Sequence, residues 1–375
     1  LGIPELAVSR RPATPDVPID RSSVRRILVR STNWIGDVVM ISPALRALRR
    51  GFPEARLDVL ARASVAAAYQ DHPLVDDVVV EERRSGSRRH DGPLGVLRLA
   101  AELRRRRYDM AVLLPKSLAA ALAPALARIP RRIGFSTDGR RPLLTHPVPL
   151  PADSESLHHV EFFLGPALFL GCPDDDRTLV FPVSEEDRRS AQEFLEGHGV
   201  SIGGTQPLVA IHPGASRRER AWPAERFAEL ARRLEGSGAR LMVLGAPSDR
   251  AAASPVLQAS GDAVMDAVGI GGLGTMAALV ERCDLFVGND SGPMHVAAAV
   301  GTATVAVFGP GTPGKTAPYV PAARRREVSR AFPCSPCRQE FFSECDAAPS
   351  GIPWCLETVT VQEVLDAARE LLAAT

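Results

Sequence analysis

Short apolar runs bounded by glycine, proline or charge alternate along the chain with longer segments whose apolar positions recur at helical spacing. In the first half, residues 25–30, 57–61, 75–80 and 109–115 read as strands, and residues 38–48, 64–70, 92–107 and 116–127 as the helices that follow them. The strands are of the buried type, apolar on both faces, as in a parallel sheet covered by helices on each side. After residues 132–135 the chain turns irregular and rich in proline and arginine, then resumes with a helix at 158–170. The polar, turn-forming stretch 171–176 is the expected domain boundary. A second alternating series follows, with a helix at 185–198, strands at 208–212, 240–245, 263–267, 285–288 and 303–309, and helices at 224–235, 249–259, 275–281 and 293–300. The pattern predicts an α/β protein of two Rossmann-like domains, 25–175 and 176–360, whose parallel sheets face each other across a ligand-binding cleft. Residues 1–24 are expected to be a disordered leader, and the amphipathic helix at 361–375 to pack back on the first domain.

Composition changes this picture little. The 375 residues are 45% hydrophobic and 24% charged, which suffices for two ordinary cores. Net charge is +1, but the first 170 residues are basic on balance and the remainder acidic. A basic half suggests an anionic partner such as nucleic acid, a membrane surface or a phosphorylated substrate, although the arginine run at 104–107 also reads as the solvated end of a helix. No nucleic-acid motif accompanies it, so no nucleic-acid partner is expected. The most apolar stretch, 117–129, is too short to span a bilayer and stops at Pro130. Residues 1–20 hold four prolines and no apolar signal-peptide core, so a cytoplasmic, monomeric chain with six reduced cysteines is expected.

Candidate chemistry sits where strands give way to helices. In Gly288-Asn289-Asp290-Ser291-Gly292-Pro293-Met294-His295 the turn aims backbone N–H groups and a helix dipole at one point, which suits a diphosphate; Asp290 or Ser291 acting only as a helix cap is the alternative. His295, in the first helical turn, can be structural or can donate to a phosphate or sugar oxygen. A second turn, from His212 to Pro223, gathers guanidinium groups and the Ser216 hydroxyl, fitting either phosphate recognition or a solvated surface. In a third, Gly245 to Asp249, the carboxylate can accept from ribose hydroxyls or cap its helix. Asp37 follows the first strand, where it can face the cleft or be a plain cap; a carboxylate at a helix N-terminus is a weak base unless burial or substrate opposes the dipole. Cys334, Cys337, Cys345 and Cys355 share one loop-rich segment and can be a structural zinc site or unliganded thiols, only the first pair having a zinc-like spacing.

Several motifs in order carry a resemblance. They are residues 27–37 (Ile-Leu-Val-Arg-Ser-Thr-Asn-Trp-Ile-Gly-Asp), 42–48, 114–118 and 129–135 in the first half, and His212-Pro213-Gly214-Ala215, Trp222-Pro223, residues 287–295 and Phe308-Gly309-Pro310 in the second. Together they resemble the ADP-heptose:lipopolysaccharide heptosyltransferase family, in particular its second inner-core enzyme, over nearly the whole chain from Arg25. The resemblance implies the two-domain fold called GT-B and an inverting, metal-independent transfer from ADP-heptose with no cofactor. It implies Asp37 as the general base, Asp290 at the donor sugar hydroxyls, and Ser291, Gly292 and His295 at the diphosphate. Arg220 stands where the family has a lysine, keeping the charge with a different reach. Ser216 and Asp249 are weaker transfers, to the diphosphate and the ribose. The implied acceptor, a lipid A core bearing carboxylates and phosphates at the inner leaflet, suits the basic first half, with Lys116, Ser117, Arg140 and Arg141 as contacts. Rival readings are a sibling heptosyltransferase (I or III) or a transferase of another nucleotide sugar, a nucleotide-sugar epimerase, and a non-catalytic zinc-binding protein.

Overall fold

The computed structural model describes residues 19–83, 89–200, 205–260, 264–334, 337, 339–343 and 345–374. The expected leader therefore lies outside the described residues as far as residue 18. Arg21–Ser23 is a 3-10 turn closed by Asp20, which accepts from the Ser22 N–H at 3.0 Å. The chain forms two compact units that meet in sequence between Pro182 and Val183.

In the first unit the strands are β1 (Arg26–Arg30), β2 (Arg56–Arg62), β3 (Asp77–Glu81), β4 (Met110–Leu113), β5 (Arg131–Phe135) and β6 (His146–Val148). They are all parallel, in the order β3-β2-β1-β4-β5-β6. The second unit repeats the order with β7 (Leu208–His212), β8 (Arg240–Gly245), β9 (Val264–Val268), β10 (Leu285–Asn289), β11 (Ala303–Phe308) and β12 (Arg325–Ser329), arranged β9-β8-β7-β10-β11-β12. In each sheet the direction of winding reverses between the first and fourth strands, β1/β4 and β7/β10. Side chains and loops just beyond the carboxyl ends of those two pairs are where such a sheet leaves a crevice.

The central strands are apolar on both faces because helices cover both. In the second unit one face packs Val209, Ile211, Val287 and Val305 against Phe227 and Leu230, and the other packs Ala210, Phe286, Ala306 and Phe308 against Leu279 and Met294. Three strands were not expected. β5, β6 and β12 are rich in arginine or proline, and the last two lie at sheet edges, where only one side needs pairing and Pro147 is tolerated. The helix expected at 38–48 is two, Ile35–Met40 and Ser42–Gly51, broken just before Pro43.

Two expectations about organisation need correction. The polar stretch 171–176 is not the break between units: Arg46 pairs with Asp176 and donates to its carbonyl, Arg50 pairs with Asp175, and Arg177 pairs with Asp174 and Glu161, which ties the segment to the first unit. The final helix, Val361–Ala373, is amphipathic as read, but its apolar residues Val364, Leu365, Ala368 and Leu371 are buried in the second unit's own core rather than on the first. Among the described residues no helix is long and apolar enough to cross a membrane.

His72 supplies a pH test of the first unit. Burial pushes its imidazole down to about 4 from an ordinary 6.5, and the Arg46 charge adds to the effect. The unfolded chain therefore takes up this proton first as pH falls, so the stability tied to neutral His72 is complete above about 6.5 and is lost progressively toward 4. His72→Asn keeps an acceptor for the Leu74 N–H. Urea unfolding at about pH 7 and about pH 4.5 should show a smaller acid loss in the variant than in the parent, by up to about 3 kcal/mol.

Candidate functional site

The switch point of the second sheet is built around Asn289, the fully buried last residue of β10. Its side-chain carbonyl accepts from the Trp222 N–H at 2.9 Å, and its amide donates to Pro213 O at 2.9 Å and Gly214 O at 3.2 Å. One side chain thus fixes both ends of the long turn after β7 against the end of β10. Trp222 is itself buried, edge-on to Phe227 with centroids 4.9 Å apart, and donates from its indole to Val359 O at 3.0 Å. Gly288 is required below Asn289, since a β-carbon there would meet the Phe286 ring at 2.8 Å and the His212 carbonyl at 3.2 Å.

Asp290, next along, is buried and joined to Arg220 by an ion pair; the same guanidinium Nη2 donates to Asp290 O at 3.0 Å. Thr316 Oγ1 donates to the other carboxylate oxygen at 3.3 Å. Both oxygens are therefore engaged within the protein, so Asp290 anchors Arg220 and the loop after β11. That loop closes tightly over the carboxylate: a β-carbon on Gly311 would lie 2.1 Å from Asp290 Oδ2. The Arg220 Nε, by contrast, is buried and has no hydrogen-bond partner.

Ser291 occupies the N-cap position of the helix Gly292–Ala299 in extended backbone, but its hydroxyl makes no cap bond. The Ser291 Oγ is shielded from solvent and unpartnered. Ser291 thus does not serve as a side-chain cap, and the helix start offers the Gly292 N–H beside a buried hydroxyl and a buried guanidinium N–H, Pro293 having no N–H and that of Met294 donating to Ser291 O at 3.2 Å. Such a group of donors is matched to an anion of several oxygens. His295 is buried in the first turn of the same helix. Ser216 is exposed on the turn after β7. Asp249 points inward: its carboxylate accepts from the Ala246 N–H at 2.9 Å and lies 3.6 Å from His212 Nε2. The His212 bond, followed by the Ala246 N–H, outweighs burial and holds the Asp249 carboxyl below the usual carboxylate range. Asp249 consequently serves its own loop and His212, in line with the capping alternative.

In the first unit, Asp37 lies in the first turn of Ile35–Met40, immediately beyond β1. His159 Nδ1 is 3.5 Å from its Oδ1. Behind this pair, Ser31 Oγ shares a hydrogen bond with the buried Tyr69 hydroxyl, and Arg30 is paired with Glu81, both buried. Lys116 and Ser117 are exposed at the end of β4, with the Lys116 ammonium 4.2 Å from the Phe162 ring centroid, and Arg141 is exposed nearby in sequence. Arg140 departs from expectation. It is fully buried, donates to Phe135 O at 2.8 Å and to Pro115 O, and burial pushes it down to about 10. It braces the loop that carries Lys116 and Ser117, and its Nη2 is shielded from solvent without a hydrogen-bond partner.

The cysteines form no disulfide. Burial, reinforced by Cys334, Cys337 and Cys345, pushes the Cys355 thiol up to about 11, so the four do share a neighbourhood. Among the described residues, however, no three His, Cys, Asp or Glu side chains are placed to hold a metal ion. Sequence reasoning placed Asn289 and His212 in their turns without giving either a role, and it missed Gly311, Thr316 and His159. The glycine-rich stretch after Phe308 was a signal for the third donor-side turn; the rest depend on partners distant in sequence.

The profile of glycosyltransferase family 9 (heptosyltransferase) matches residues 96–345. Lipopolysaccharide heptosyltransferase 2 of Escherichia coli K12 is 31% identical over 313 residues, covering 80% of this chain and 87% of its own; the Salmonella typhimurium enzyme of the same name is 30% identical over 317 residues, with the same coverage. Among solved structures, a family 9 glycosyl transferase from Veillonella parvula superposes with a TM-score of 0.83 at 26% identity, over 96% of this chain and 99% of that one. The E. coli ADP-heptose lps heptosyltransferase II gives 0.73 at 26% identity, over 93% and 98%.

Removing the Asn289 side chain tests the scaffold. Asn289→Ala leaves the buried Trp222 N–H without an acceptor, and the unfolding free energy from urea titration should fall by about 2–4 kcal/mol. A loss below about 0.5 kcal/mol would mean that the turn holds without this clamp.

Proposed function

The chain belongs to glycosyltransferase family 9, the heptosyltransferases, and from this we propose that it moves L-glycero-D-manno-heptose from ADP-heptose to the heptosyl-Kdo-lipid A inner core of lipopolysaccharide, with inversion and without a metal. The observation that carries the donor side is the pair of unsatisfied side-chain donors at the second sheet's switch point, Ser291 Oγ and Arg220 Nε, beside the Gly292 N–H that opens the helix Gly292–Ala299. As the bond from the anomeric carbon to the diphosphate breaks, negative charge grows on ADP, and donors already fixed toward that charge lower the barrier. Asp290 contributes by holding the Arg220 guanidinium in place before the donor arrives. His295 belongs to the same helix start and faces the diphosphate in this reading.

Acceptor chemistry belongs to the first unit. Asp37 marks the end at which the acceptor hydroxyl gives up its proton, and the exposed Lys116, Ser117 and Arg141 meet the anionic groups of the lipid A core. Such an acceptor draws the enzyme to the cytoplasmic face of the inner membrane as a peripheral protein.

Purified protein given ADP-heptose and Kdo-lipid A acceptors bearing zero or one heptose should extend the acceptor that already carries one. Transfer only to the bare acceptor would reassign it to the sibling step, and transfer to neither would overturn the reading. Asp37→Asn should lower turnover at least about 100-fold while ADP-heptose binding, followed by calorimetry, stays within about threefold of the parent. Unchanged turnover would remove Asp37 from the chemistry.

A further inference from the structure

Asp37 has a neighbour that the transfer reading leaves without a task. We propose that the acceptor's proton is taken by His159 Nε2, with Asp37 as the carboxylate that orients the ring and balances the imidazolium that forms; this rests on the transferase reading above and specifies its base. Asp37 Oδ1 faces His159 Nδ1 at 3.5 Å. That nitrogen is shielded from solvent and makes no hydrogen bond of ordinary geometry, whereas the ring's side chain as a whole is 37% exposed. The exposed edge is therefore the opposite one, which carries Nε2. A proton on Nδ1 directed at the carboxylate leaves the Nε2 lone pair facing outward, the tautomer a general base requires. A spacing of this size in the unliganded protein closes when substrate is bound.

The surroundings hold the ring where it is. His159 opens the helix His159–Phe169, and His158 caps that helix, its Nδ1 accepting from the Val160 N–H at 3.2 Å. Glu161, almost fully buried in the first turn, receives Arg177 Nη1 on both oxygens at 2.7 Å, and Arg177 is held in turn by Asp174 at 3.0 Å. The Phe163 ring meets the imidazole edge-on at 5.7 Å between centroids. On the other side, the segment joining β1 to Asp37 carries two further shielded atoms without hydrogen-bond partners, Thr32 Oγ1 and Asn33 Oδ1.

The chemistry favours the imidazole. An imidazole backed by a fixed carboxylate is a better proton acceptor than a lone carboxylate, because the positive charge that forms on the ring is met by an anion already in place. In the step, the acceptor oxygen forms its bond to the anomeric carbon as its proton passes to His159 Nε2. The electron pair of the breaking C–O bond leaves with ADP, the imidazolium is balanced by Asp37, and the proton is released to water after product departs.

Steady-state constants for the parent, His159→Ala, His159→Asn, Asp37→Asn and the double variant Asp37→Asn/His159→Ala, with ADP binding and thermal midpoints measured on each, decide the matter. Transfer by the parent tests the broader reading independently; only the variants test the base. His159→Asn retains a donor toward Asp37 but has no base at the outer edge. Both His159 variants should lose at least about 100-fold in kcat, with donor KM within about twofold. Added imidazole should restore part of the His159→Ala turnover but none of the Asp37→Asn turnover. The double variant should be no more than about threefold slower than the worse single one. Turnover of His159→Asn within about threefold of the parent, or a folded His159→Ala that imidazole fails to rescue, would overturn the assignment and leave Asp37 as the sole base.

Discussion

The side-chain amide of Asn289 holds together what the chain order keeps apart. Its three hydrogen bonds reach the start and the end of the turn after β7 from the last residue of β10. Those two strands flank the switch point, so the amide fixes the distance between the loop bearing Arg220 and the turn bearing Asp290 and Ser291. An asparagine is suited to this because it offers both an acceptor and a double donor in one plane. Leucine of similar volume would leave a buried N–H and two carbonyls unmet, which costs more than its added apolar contact returns.

Arg220 shows how the rest depends on that frame. Its Nη2 is committed to Asp290, carboxylate and carbonyl both, and Asp290 is in turn pressed by Gly311 and bonded by Thr316. Three strand-to-helix turns, after β7, β10 and β11, thus converge on one carboxylate. Arg220 is then a guanidinium with little freedom left, where a lysine would present a mobile point charge.

Most of the architecture was readable from the alternation of buried strands and amphipathic helices. β7, β8 and β10 are apolar on both faces because both faces are covered, so β7 and β8 start and end where the apolar runs do and β10 extends one residue further. β6 and β12 escaped because an edge strand needs little apolar character, and β5, with Arg131 and Arg132, reads as polar loop. The strand-to-helix turn at 288–295 was legible because its signals are local: a strand end, a small-residue turn, a helix start. The burial of Arg140 was hidden for the opposite reason. Arginine is usually at the surface, and only the three-dimensional convergence of the Phe135 and Pro115 carbonyls explains a buried one. The His159–Asp37 pairing was invisible in the same way, since nothing near either residue in sequence announces the other.

The ion pair between Arg220 and Asp290 also bears on selectivity. A pocket lined by unopposed cations would fill with whichever phosphate is most abundant, and the donor would have to displace it. Here the half-buried Arg220 guanidinium is already paired with a carboxylate 6% exposed, which offsets its charge before any ligand arrives. Inorganic phosphate gains little from Coulomb attraction at such a site and has no adenosine to add contacts elsewhere. A nucleoside diphosphate gains from several aligned donors at once, so such a site can favour a nucleotide donor over smaller competing anions.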